Sequence, residues 1–132
     1  MSHTFGTFVL AVAAAFCLMT TYTAGTAPAA FAERLGLAVA NAGGRNEVRA
    51  QYAGFFLAVA AICVAALAGA VPRAAAYAVL AVVFFGLFAG RIAGLGLNGG
   101  TAGYPPTIRA LVAIDTLGSA LTAAALLLDR AS

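Results

Sequence analysis

Charge is nearly missing from this chain. Asp, Glu, Lys and Arg together make up 8% of its 132 residues, where soluble domains carry about a quarter. With 64% hydrophobic residues and a mean hydropathy of +1.02, that deficit excludes a soluble globular domain and a disordered chain. Lysine is absent, so all seven cations are Arg; they stand against four acids for a net charge of +3. Seven guanidinium groups spread along an apolar chain make no basic patch, so nucleic acid is not an expected partner. Tryptophan is absent and there is one histidine, His3. The two cysteines, Cys17 and Cys63, have neither a CxxC spacing nor a neighbouring His, which argues against a metal or redox site. No nucleophile triad, P-loop or dinucleotide fingerprint is present, so no catalytic residue, metal or cofactor is expected. About a quarter of the residues are Ala. Abundant Ala and Gly with Arg in place of every Lys fits a GC-rich bacterial genome.

What is there in quantity is long apolar runs. A helix needs about 20 mostly apolar residues to cross the hydrocarbon layer, roughly 30 Å thick. Four stretches qualify: about Phe5 to Thr23, Glu47 to Val71, Ala74 to Leu97, and from the Pro105-Pro106 pair to about Leu128. Backbone polar groups in lipid must be satisfied internally, and unbroken apolar runs without period-2 alternation select helices over a barrel. The expected fold class is therefore all-α: an integral membrane up-and-down four-helix bundle, one domain over residues 1–132. No internal repeat of useful strength is visible, which leaves an inverted-repeat transporter little support. The first run lacks a basic start and is read as a retained span rather than a cleaved signal.

The longest connection, Gly25 to Asn46, contains Pro28 as a helix opener. Phe31, Leu35 and Val39 fall roughly on one face, and Gly43-Gly44 is the expected stop. This segment predicts a short interfacial helix between the first and second spans.

The polar residues fall mostly at one end of the bundle, opposite the termini. Depth at 1.5 Å per residue puts Arg91 roughly 9 Å and Asp115 about 12 Å below that surface. An unpaired charge there costs on the order of 3 kcal/mol on insertion scales, so the two are expected to pair. Asp115, Ser119 and Thr122 form one polar stripe at i, i+4 and i+7, as do Glu47, Gln51 and Gly54; Arg49, Tyr52 and Phe56 form an adjacent row. Turned inward, these stripes would line a polar pocket of Glu47, Arg49, Gln51, Tyr52, Arg91, Arg109 and Asp115. Three Arg against two carboxylates suits an anion or a lipid headgroup; an ion-pair network locking the helices, with Arg reaching to lipid phosphates, is the competing structural role. Gly86, Gly90 and Gly94 form a GxxxGxxxG face for close helix packing, either inside the bundle or against a second copy. Cys17 and Cys63 are expected as small apolar packing residues.

The run Asn46-Glu47-Val48-Arg49-Ala50-Gln51-Tyr52-Ala53-Gly54, the Gly90-Arg91 pair and Asn98-Gly99 resemble a bacterial family of small four-helix membrane proteins known only as a domain of unknown function, loosely similar to DoxX-like proteins. In that family a polar start of the second helix precedes a Gly-Arg late in the third and a carboxylate in the fourth. The matching positions are Arg49, Tyr52 and Gly54, then Gly90 and Arg91, then Asp115, with Ala53 standing where the family tends to have Gly. The resemblance supports the fold and the importance of the polar end, and supplies no activity. Similarity to the four-helix membrane enzymes of eicosanoid and glutathione metabolism is more distant, because their Arg-Ala-x-x-Asn-x-x-Glu order is not reproduced around Arg49-Ala50.

The functions expected are binding of a small anion or lipid headgroup, or service as an accessory subunit of a larger membrane complex or homo-oligomer. A small transporter or membrane enzyme ranks below both. The expected location is the bacterial inner membrane, multi-pass, with lipids as partners. Arg counts at the two ends give no firm orientation once Arg49 and Arg109 are assigned to the pocket.

Overall fold

The computed structural model describes residues 2–100 and 102–130. Among the described residues there are five helices: α1 (Ser2–Thr26), α2 (Pro28–Arg34), α3 (Ala42–Leu67), α4 (Arg73–Leu97) and α5 (Pro106–Arg130). No strand occurs among the described residues. Four of the helices, all but α2, are long and apolar enough to cross a membrane. A helix of 25 residues, the length of α1, α4 and α5, runs about 37 Å, which exceeds the roughly 30 Å hydrocarbon layer.

Local sequence sets the helix ends. Pro28 opens α2, where its missing N–H costs nothing. The helix then stops at Gly36, whose φ of +78° only glycine adopts without strain. There Gly36 N–H donates to the Glu33 carbonyl at 2.9 Å and Leu37 N–H to the Ala32 carbonyl at 3.0 Å, the paired closure that satisfies the last carbonyls of a helix. The Gly43-Gly44 pair, expected to be the stop, instead lies in the first turn of α3. Asn41 caps that turn by accepting from Gly44 N–H at 3.0 Å, because a side-chain oxygen at this position satisfies a free helical donor. The same closure at Gly69 and Gly99 ends α3 and α4. Pro72, in extended conformation, precedes α4.

The long helices form a ring. Helix α1 packs on α3 and α4 on α5, and the two pairs join through α1 with α5 and α3 with α4. The core holds Leu10, Cys17, Cys63, Tyr77, Leu80 and Phe84. Phe16 sits edge-on to Phe56 at 6.3 Å and tilted to Phe84 at 6.5 Å, which ties three helices together. Two glycines permit the closest approaches. A Cβ at Gly6 would overlap the Tyr77 hydroxyl, and one at Gly118 would lie 2.5 Å from the Phe84 ring. Cys17 and Cys63 are buried free thiols. At the terminal end, Arg73 donates to Thr7 Oγ1 at 2.8 Å and to the His3 carbonyl at 3.4 Å, which fastens α4 to the start of α1.

The outward surface is apolar. Phe8, Val12, Leu57, Val82, Phe85, Leu117 and Leu127 are all exposed, Val82 to 74%. Soluble monomers rarely show contiguous apolar surface on this scale.

Candidate functional site

The polar chemistry of the bundle centres on one ion pair. Arg91 Nε donates to Asp115 Oδ2 at 2.5 Å. Asp115 is 2% exposed and Arg91 24%. Arg91 comes late in α4 and Asp115 nine residues into α5, and those two helices make the most extensive contact in the fold. Antiparallel packing brings the two side chains to the same level. The rest of the α5 stripe also turns inward: Thr122 is buried and Ser119 half-buried. Their hydroxyls donate to the Gly118 and Asp115 carbonyls one turn back, at 2.7 Å each. These hydroxyls are therefore satisfied within α5, and only Asp115 reaches across to another helix.

A cavity of about 490 Å³ adjoins the ion pair. Its walls are mostly apolar, with Phe16, Met19, Phe56, Leu87, Leu111 and Ile114 from the four long helices. Phe31, Arg34, Leu35 and Leu37, from α2 and the chain just after it, close one side. Arg91 and Asp115 line the cavity, as does Tyr52. Tyr52 is held by a ring contact with Phe31 at 5.0 Å.

Tyr52 owes its placement to a break in helical register. Residues Arg49–Gly54 of α3 form a π-helical stretch, which widens the turn and recurs at functional sites. Tyr52 and its neighbour Ala53 both turn toward α1 and α2. Thr21 donates to the Ala53 carbonyl at 3.2 Å, and the buried Val48 and Phe56 continue the inward face on either side.

The other expected pocket residues sit elsewhere. Glu47 and Gln51 are exposed and bond each other at 3.0 Å. Gly54 is also exposed, so the Glu47, Gln51 and Gly54 stripe faces outward, contrary to its expected inward turn. The reason is competition between adjacent rows: Val48, Tyr52 and Phe56 carry more apolar surface and take the interior, while the polar pair satisfies itself. Arg49 is exposed and donates from Nε to the Gly25 carbonyl at 3.1 Å, a favourable place for a cation near the end of α1. Arg109 is exposed and donates to the Tyr104 carbonyl at 3.3 and 3.4 Å. The cavity therefore has Tyr52, Arg91 and Asp115 from the expected set and gains Arg34, which was not among the expected pocket residues. The signal available for Arg34 was its position at the end of α2, one turn beyond Phe31.

The Gly86, Gly90 and Gly94 face is not used for packing between the long helices. A Cβ at Gly86 or Gly90 would meet nothing within 4 Å among the described residues, and one at Gly94 would meet only the Tyr104 hydroxyl at 3.6 Å.

The chain matches a family described as a domain of unknown function (DUF4345) over residues 5–126. The chain belongs to this family. The match takes in α3 and α4 whole, most of α1 and α5, and all the residues of the cavity. No curated protein and no solved structure matches the chain. The chemistry of this DUF4345 member therefore rests on its own residues. Around the cavity Arg34 and Arg91 stand against Asp115, a local excess of one positive charge.

Proposed function

We propose that this DUF4345 protein is a multi-pass protein of the bacterial inner membrane whose cavity binds an anionic small molecule or lipid headgroup. The observation that carries the proposal is a mostly apolar cavity of about 490 Å³ beside a buried charge pair. Its size falls within the roughly 300–1,000 Å³ of small-molecule sites, which are apolar with a few convergent polar groups. An ionisable pair among apolar helices is costly to maintain and marks functional positions in membrane proteins. Helix α2 lies at the membrane interface, which its short length and mixed faces support. The resemblance of the second- and third-helix motifs supports a loose kinship with DoxX-like proteins.

Native mass spectrometry of the protein extracted gently from its own membrane tests this. A bound anion or lipid present on the wild type and lost from Arg91→Ala supports the proposal. A folded protein that carries nothing in either form contradicts it.

The unpartnered face at Gly86 and Gly90 favours a second reading, an accessory subunit docked through α4 on a membrane partner or a second copy. Small residues let helices approach closely in lipid. A stoichiometric protein partner in the same spectra supports that role, and a lone monomer counts against it.

A further inference from the structure

The polar groups facing the cavity are unequal in kind. Thr20 and Thr23 spend their hydroxyl protons on the Phe16 and Met19 carbonyls. The one carboxylate, Asp115, is already paired. The charged donors outnumber it. Arg34 makes no hydrogen bond or ion pair among the described residues, and neither does the Tyr52 hydroxyl. Arg91 bonds Asp115 through Nε, which leaves its two Nη amino groups, a pair that fits two oxygens of one anion. A cavity lined by two guanidinium groups against one carboxylate, with one uncompensated positive charge, calls for a ligand with a singly charged acceptor head.

The walls set the rest of the ligand. From Thr107 to Asp115 the cavity follows α5 over nine residues, about 12 Å. Its volume lies in the lower half of the small-molecule range, which suits one apolar chain. We infer that the cavity takes a single-chain amphiphile with a monoanionic oxyanion head, the head held by Arg34, Tyr52 and Arg91 and the chain lying along the apolar wall. This inference rests on the cavity reading above and assigns Arg34 and Tyr52 as head-binding residues. The head chemistry is shared by a fatty carboxylate and by the phosphodiester of a one-chain phospholipid.

The test uses the full chain in nanodiscs of phosphatidylcholine, titrated separately with dodecanoate, lysophosphatidylglycerol, dodecanol and inorganic phosphate. Bound molecules are counted by native mass spectrometry. One dodecanoate or lysophosphatidylglycerol per chain is expected; binding of either supports the inference, and the tighter one names the source. Dodecanol should bind about tenfold more weakly or worse, the scale of losing one charge-assisted hydrogen bond. Inorganic phosphate should not bind. Arg34→Gln and Tyr52→Phe should each weaken anion binding about fivefold or more and leave dodecanol unchanged, while Arg34→Lys recovers part of the loss. Dodecanol binding as tightly as dodecanoate, with no effect of Arg34→Gln, overturns the oxyanion head and the anion preference of the proposed function, and leaves only an apolar binding cavity. Inorganic phosphate binding as tightly as dodecanoate overturns the amphiphile. Binding of none of the four to protein shown to be helical by circular dichroism overturns both the inference and the cavity reading.

Discussion

Removing either half of the Arg91–Asp115 pair should destabilise the bundle, and the two halves should not be equal. Asp115 is 2% exposed and Arg91 24%. Replacing Arg91 with Met keeps the aliphatic stem and leaves a carboxylate buried without its cation. Stranding a buried charge in this way costs about 3–5 kcal/mol. Replacing Asp115 with Asn strands the guanidinium instead. That group is already a quarter exposed, keeps an amide oxygen to bond, and sits on a long stem that can shift its charge toward water. Its loss should be smaller, about 1–2 kcal/mol. The double variant removes both charges and should lose less than Arg91→Met alone, which gives a coupling of at least about 1 kcal/mol. Reversible unfolding by sodium dodecyl sulfate titration in mixed micelles, followed by circular dichroism, measures all four proteins. Losses that add within about 0.5 kcal/mol, or a greater loss in Asp115→Asn than in Arg91→Met, would refute the asymmetric buried pair.

Other expectations concern packing. Gly118→Ala drives a Cβ to 2.5 Å from the buried Phe84 ring and should cost about 1–3 kcal/mol by the same unfolding assay. Gly90→Ala meets nothing inside the bundle and should leave the monomer's stability unchanged or slightly raised. A loss from Gly90→Ala in dimeric but not monomeric protein would place a partner on that face. Gly36→Ala strains a residue at φ +78° whose Cβ would meet Pro105 at 3.2 Å, and should cost about 1–2 kcal/mol. Tyr52→Ala removes the ring contact to Phe31 and should speed amide exchange across Pro28–Arg34, read by hydrogen–deuterium exchange; unchanged exchange would mean that α2 is held by other contacts.

The long helices were legible because a helix long and apolar enough to cross a membrane announces itself by length and hydropathy, and both survive any detail of packing. The inward stripe of Asp115, Ser119 and Thr122 was legible for a related reason: three polar residues recurring at i, i+4 and i+7 mark one face of α5. The reach of Arg91 to Asp115 followed from depth arithmetic alone. The start of α3 gave less away. Glu47, Gln51 and Arg49 look like pocket residues when turned at 3.6 residues per turn, yet Val48, Tyr52 and Phe56 form the competing row and win the interior. Near a helix end polar groups can satisfy one another or a neighbouring carbonyl, as Glu47 with Gln51 and Arg49 with Gly25 do, so burial is not forced on them. The π-helical stretch at Arg49–Gly54 has no composition signal of its own. The end of α2 was misassigned to Gly43-Gly44 because two glycines outweigh one in composition, whereas geometry favoured Gly36, the first glycine after the helix. That early stop is what brings Arg34 and Leu35 to the cavity.

The most direct test of the central claim, that the cavity is the binding site, is to fill it. Leu87→Trp and Ile114→Trp each place an indole in the cavity while the Arg91–Asp115 pair is left intact. Native mass spectra of these variants, extracted like the wild type, should show the bound molecule lost from a protein that melts no lower than about the wild-type temperature, since filling a void costs little where room exists. The same molecule retained at full occupancy in both variants would contradict the claim and place the ligand elsewhere on the bundle.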